Sequence, residues 1–299
     1  MTFVLHHLGA FVLAAAVVLW LLWRGRAGGW PHACPRTALV LWQVVGLTVV
    51  LSVVGTLLGA GLAPFGRGVL PGLGELVAAV RDGRAVEVLG PVRLAAVAAG
   101  LALAGWLAGN QAVSLVRTAR ARSRHRTLLD IVASAEQDAL VVDHPAAVAY
   151  CVPGRHPRIV VSAGARRLLT DVELAAVLAH ERAHARERHD LVLAPFSALA
   201  ARVRVLERIC ASIQMLVEMC ADDRAARQHG REPLASALER FAASGPGAAP
   251  TGALAATDRA LAARIHRLRH PARSVTPAGL LGVALLALAT SASLFVVPA

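Results

Sequence analysis

The sequence predicts a mainly α-helical membrane protein, with about four transmembrane helices and an α+β domain between the third and the fourth. Three observations carry this. Of 299 residues, 56% are apolar and only 17% charged, a balance uncommon in a soluble chain of this length. The apolar residues gather into four runs long enough to cross a bilayer, Thr2 to Trp23, Thr37 to Leu62, about Val92 to Val116, and Pro277 to Val297. Between roughly Leu128 and Pro271, mixed charge and turn signals return. The predicted organisation is a membrane domain over 1–116, a central domain over 117–273 and a C-terminal transmembrane helix over 274–299.

The first run is interrupted only by His6 and His7 and ends on Arg24 and Arg26. A signal peptide carries its basic residues ahead of the apolar stretch, and here they follow it, so an uncleaved span is the better reading. The third run is rich in alanine and other small residues, which let helices approach closely. The fourth carries no charge.

Orientation follows from arginine, which supplies every basic side chain apart from histidine in a chain of net charge +12. RTARARSRHR, Arg117 to Arg126, follows the third run, and Arg259, Arg264, Arg267, Arg269 and Arg273 precede the fourth. Both flanks of the central domain therefore read as cytoplasmic. A basic stripe of this kind also occurs in nucleic-acid binders, but no aromatics interleave it and an apolar span adjoins it. Nucleic acid is not an expected partner; the bilayer is. Cys34, Cys151, Cys210 and Cys220 show no CxxC spacing and read as unpaired.

The chemistry lies in the central domain. Ala147 to Val161, AVAYCVPGRHPRIVV, has two β-rich runs around Pro153-Gly154 and reads as a hairpin. Thr170 and Glu173 then form a capping box that opens a helix through TDVELAAVLAHERAHARERHD. On that helix His180 and His184 are spaced i and i+4, so both rings leave one face and can grip one metal ion. Glu181 stands beside them, placed to take a proton from an attacking water and pass it to a leaving amine. The alternative reading of HERAHARERHD is a solvated face of salt bridges.

A glycine and a histidine downstream of His184 would mark the metzincin pattern, but Glu187 and Asp190 stand there. A carboxylate from a second helix is the other common solution, and LVEMCADDRAA offers Glu218 as third ligand. Asp222, one turn on, is suited to orienting a ligand histidine through its free ring N–H, with Asp223 as the alternative. One zinc ion per chain is the expected cofactor. His189 reads as a surface histidine, with a place near the metal as the alternative. Tyr150, the only tyrosine, and His229 read as structural residues before helpers of the reaction, and Arg264 and Arg267 as membrane-flanking charge before substrate-carboxylate binders. Leu191 to Ile209 reads as an amphipathic helix along the inner membrane face or a core helix, and Ser244 to Gly252 as a loop.

Together AYCVPGRHPRIVVSAGARRLLTDVELAAVLAHERAH, VEMCADDRAA and ARIHRL resemble the BlaR/MecR-type membrane metallopeptidases, family fifty-six of the metallopeptidases, and more distantly the HtpX-like gluzincins. The resemblance covers about Leu140 to Leu268. It implies a zincin-like domain facing the cytoplasm at a bacterial plasma membrane, with zinc on His180, His184 and Glu218 and Glu181 as general base. It also implies that the hairpin could hold a peptide substrate as an added strand. Few residues follow the fourth run, so no penicillin-binding sensor domain is expected and β-lactam sensing is not carried over. The expected function is a membrane zinc endopeptidase acting on a cytoplasmic or membrane-proximal protein, with a non-catalytic signalling or scaffold protein as the alternative. Substrate-binding residues are not identified by the sequence.

Overall fold

The computed structural model describes residues 2–26, 29–136, 139–244, 254–271, 278–293 and 295. In chain order the elements are α1 (Thr2–Arg26), α2 (Trp30–Ala33), α3 (Pro35–Leu62), α4 (Val69–Arg81), α5 (Ala85–Val132), β1 (Ala133–Ala135), β2 (Leu140–Val142), β3 (Ala149–Val152), β4 (Arg158–Ser162), α6 (Ala163–Leu168), α7 (Asp171–Arg186), α8 (His189–Ala200), α9 (Glu207–His229), α10 (Arg231–Ala243), α11 (Leu254–Arg269) and α12 (Ala278–Ser293). They fall into two units, one of Met1–Pro31, Thr37–Ala112 and Thr276–Ala299, the other of His32–Arg36 and Val113–Val275.

In the first unit, Val54, Leu58 and Leu62 of α3 pack with Val69 of α4 and Val97 of α5. The backbones of α3 and α5 come so close that a Cβ on Gly61 would stand 2.7 Å from the Arg93 carbonyl oxygen, which is the close approach small residues permit. Among the described residues, Pro35–Phe65 and Ala85–Val132 are helices long and apolar enough to cross a membrane. The first and fourth apolar runs also form helices, but their described apolar stretches, Leu8–Leu21 and Ala278–Ser293, are shorter. Residues 277, 294, 296 and 297 of the fourth run lie outside the described residues.

The third run does not stop at Val116. α5 continues unbroken through the arginine segment, because arginine and alanine are strong helix formers and the only breaker lies upstream, at Gly90 (φ 71°) before Pro91. The predicted boundary between 116 and 117 thus falls inside a helix.

In the second unit the expected hairpin forms, β3 pairing antiparallel with β4 from Ala149↔Val161 to Val152↔Arg158. Two short strands extend it to the order β1-β2-β4-β3, with β2 parallel to β4, leaving β3 at an edge. Ile159 and Val161 of β4 pack against Ala165 and Leu178, and a larger core joins α7, α9, α10 and α11 through Ala176, Val177, Ala225, Leu234 and Leu268. The single helix expected over Leu191 to Ile209 is instead two. The chain leaves α8 through a turn with Val203 extended, makes one 3₁₀ turn at Arg204–Leu206, and reverses into α9. That reversal lets α8 fold back on α9, where Ser197 Oγ lies 3.7 Å from Cys210 Sγ. Among the described residues no disulfide forms. The glycine- and proline-rich loop over 245–252 lies outside the described residues.

Candidate metal centre

The start of α7 is built as its capping box requires. Thr170 Oγ1 accepts from the Glu173 N–H, and Glu173 Oε2 accepts from the Thr170 N–H at 2.8 Å. The other Glu173 oxygen accepts from Ser236 at 2.5 Å and from Arg240 at 3.0 Å, tying α7 to α10. Burial alone would raise its pKa, but these hydrogen bonds and the Arg240 charge outweigh it and hold the carboxyl at about 2.

Two turns further along α7, His180 and His184 leave the same face, their Nε2 atoms 3.1 Å apart. Glu218 of α9 meets both, with Oε2 3.3 Å from His180 Nε2 and Oε1 3.5 Å from His184 Nε2. The donor atoms of the three side chains lie within 4.8 Å of one another. Behind them Asp222, whose side chain is fully buried, sets Oδ1 3.0 Å from His180 Nδ1. The structure thus brings His180, His184, Glu218 and Asp222 together, and turns Asp223 away to pair with Arg267 at 2.7 Å.

This donor set fits a zinc ion. Both Nε2 atoms converge on one point with a carboxylate beside them, two imidazoles and one carboxylate being a common three-residue zinc set that leaves a fourth position open. Asp222 lies against Nδ1 of His180, which leaves Nε2 as the ring atom that faces His184 and Glu218.

Charge shapes the groups further. Burial pushes Glu181 up to about 7, aided by Glu218 and opposed by His180 and Arg264, and the Cys151 backbone hydrogen-bonds to it from β3. Burial would raise Glu218, yet His180, Arg264 and His184 hold it at about 2. Burial lowers His184 to about 4, while in His180 the same effect is overcome by Asp222 and Glu218, which lift it to about 9. A cation held at Nε2 of His180 would take the place of that proton.

Three residues stand where the sequence did not first place them. Arg264 is not membrane-flanking charge: it grips Asp222 through Nε–Oδ2 (2.8 Å) and Nη2–Oδ1 (2.7 Å) and reaches Glu218 Oε2 at 3.0 Å. Its signal was an arginine set among Leu261, Ile265 and Leu268, the side of α11 that packs into the core. Arg267 likewise turns inward, donating to the His32 carbonyl. His189 is not on the surface but buried, its Nδ1 3.0 Å from Nδ1 of His184 and its Nε2 3.5 Å from Glu187. Burial lowers its pKa despite Glu187. Continued α-helical geometry would have carried residue 189 away from the face of His184. Arg188, in the left-handed region at φ 50° and ψ 43°, breaks the helix and returns it.

The centre opens on a cleft of about 640 Å³ lined by Glu181, His184 and Glu218, by Tyr150, Cys151 and Pro153 from the edge of the sheet, and by apolar residues including Leu115, Leu193 and Val217. Tyr150 donates or accepts at 2.9 Å with His125 Nε2 on α5. His229 lies in the last turn of α9, more than two turns beyond Glu218.

No curated protein and no solved structure matches the chain. The family matched is not the one put first from the sequence, family fifty-six. Residues 117–212, which include His180, Glu181 and His184 and end before Glu218, match the model of peptidase family M48, and that match supports a metallopeptidase of this family.

Proposed function

We propose that this chain is a membrane-embedded zinc endopeptidase that cleaves an extended segment of a cytoplasmic or membrane-proximal protein. The observation that carries the reading is the convergence of His180, His184 and Glu218 on one point, beside a cleft that His184, Glu218 and Glu181 line. A zinc ion held there supplies the positive charge that activates water and polarises the scissile carbonyl. Glu181 takes the proton of the attacking water and hands it to the leaving amine; a carboxylate raised by burial to about 7 is well matched to both tasks. Asp222 and Arg264 hold the side chains of His180 and Glu218 in place.

Binding draws on β3. Among the described residues its outer edge has no strand partner, and Tyr150, Cys151 and Pro153 border the cleft, so an extended peptide can add as a further strand. The apolar wall formed by Leu115, Leu193 and Val217 favours apolar substrate side chains. Membrane embedding is supported by the two long apolar helices, and a cytoplasmic side for the peptidase domain by the arginine distribution. A regulatory protein is one substrate class consistent with such a site.

The test uses the full chain in its membrane. New protein N-termini are compared between cells expressing wild type and Glu181→Gln at equal levels, and zinc is counted in the purified protein. Wild-type-specific N-termini with one zinc per chain are expected; a purified chain with no bound zinc overturns the reading.

A further inference from the structure

We propose that His189 is a positioning residue for His184, fixing the ring tautomer that turns Nε2 toward the cation site. The inference rests on the metal reading above and assigns a residue to which that reading gives no task. His180 has Asp222 behind it, but among the described residues no carboxylate is paired with the corresponding atom of His184. Its Nδ1 faces Nδ1 of His189 at 3.0 Å instead.

Two ring nitrogens at that separation must share one proton, since two bare lone pairs would repel. If His184 uses Nε2 as ligand atom, that atom carries no proton, so Nδ1 of His184 is the donor and Nδ1 of His189 the acceptor. His189 must then hold its own proton on Nε2, and that atom faces a carboxylate oxygen of Glu187 at 3.5 Å. Glu187 is in turn paired with Arg36. Every proton in the chain from His184 to Glu187 thus has an acceptor, and only one tautomer of each histidine satisfies it.

The backbone supports the assignment independently. Arg188 is the only non-glycine residue with positive φ among the described residues, a conformation that is sterically unfavourable for a residue with a Cβ. That turn separates α7 from α8 and sets His189 against the ring it contacts. His189 is 4% exposed and its rings meet those of His184 edge to face, with centroids 4.9 Å apart.

The experiment measures zinc affinity, by chelator competition, in the purified full chain in detergent. Asn places an oxygen near the Nδ1 position of histidine, whereas Gln reaches the Nε2 position, so the two separate the acceptor from the bulk. His189→Asn should hold zinc within a few-fold of wild type, and His189→Gln and His189→Leu about 10- to 100-fold more weakly, the usual loss for a residue that orients a ligand. Equal affinities for wild type, Asn and Gln overturn the inference while leaving the metal site standing. A wild type that binds no zinc overturns the site and the inference together. If His189→Leu does not fold, the Asn and Gln pair alone decides.

Discussion

Arg264 and Asp222 form a fork-to-fork pair in the interior, with two hydrogen bonds of 2.8 and 2.7 Å. The Asp222 side chain is fully buried and that of Arg264 is 12% exposed. The same guanidinium extends its third nitrogen to Glu218, so one arginine neutralises the carboxylate behind His180 and steadies the candidate ligand beside it. Asp222 is held far below the usual carboxylate range, against burial, by Arg264 first and His180 second.

Removing Arg264 should therefore cost stability and metal together. Arg264→Leu leaves a buried carboxylate without its cation, a change expected to destabilise the domain by about 3–5 kcal/mol. Arg264→Lys keeps charge but loses the fork and should fall between. Thermal melting of the purified chain, with zinc affinity measured on the folded fraction, checks both. A leucine variant melting with the wild type would remove Arg264 from this role.

Glu181→Gln separates chemistry from assembly. The amide preserves size and leaves the two histidines and Glu218 in place, so zinc affinity should change by no more than a few-fold. Peptide cleavage should fall by about 10²- to 10⁴-fold, the usual share of a general base. Loss of zinc in this variant would mean that Glu181 belongs to the ligand set.

How much of this was legible in the sequence depended on how local each signal was. The hairpin and the capping box of α7 are short-range patterns, fixed by residues a few positions apart, and both formed as expected. So did the one-turn spacing that puts Glu218 and Asp222 on the same side of α9. What lay hidden was tertiary or depended on one strained residue. Nothing near Arg264 in the chain announces a buried acid 42 positions away. The return of His189 to His184 hangs on the left-handed conformation of Arg188, which no arginine advertises. The length of α5 was missed for a different reason: apolarity ends where the bilayer would, but helix propensity continues through the arginines.

The crossing of α3 and α5 offers a packing test outside the site. A Cβ at Gly61 meets the Arg93 carbonyl oxygen at 2.7 Å, and that atom is backbone and cannot turn aside. Gly61→Ala should push the helices apart and lower the melting temperature of the chain. Gly9→Ala, where nothing stands within 4 Å, should leave it unchanged or slightly raised through better helix propensity. Equal melting of the two variants would deny the close approach.

Glu173 predicts an acid limb of stability that has nothing to do with catalysis. Its carboxyl sits at about 2 in the folded protein against an ordinary value of 4.5, because the hydrogen bonds from Ser236 and Thr170 and the charge of Arg240 favour the ionised form more than burial disfavours it. A lowered folded-state pKa binds fewer protons than the unfolded chain does, so stability rises with pH across the interval between the two values. The contribution is complete above about 4.5 and is lost as pH falls toward 2. Glu173→Gln can still accept from Ser236 but cannot ionise, so its melting temperature should vary less with pH over that window than the wild type's, while lying below it at neutral pH, where the cap and the Arg240 pair are weakened. Melting curves of both proteins from pH 2 to 7 test this; parallel curves would show that the acid limb comes from other carboxylates.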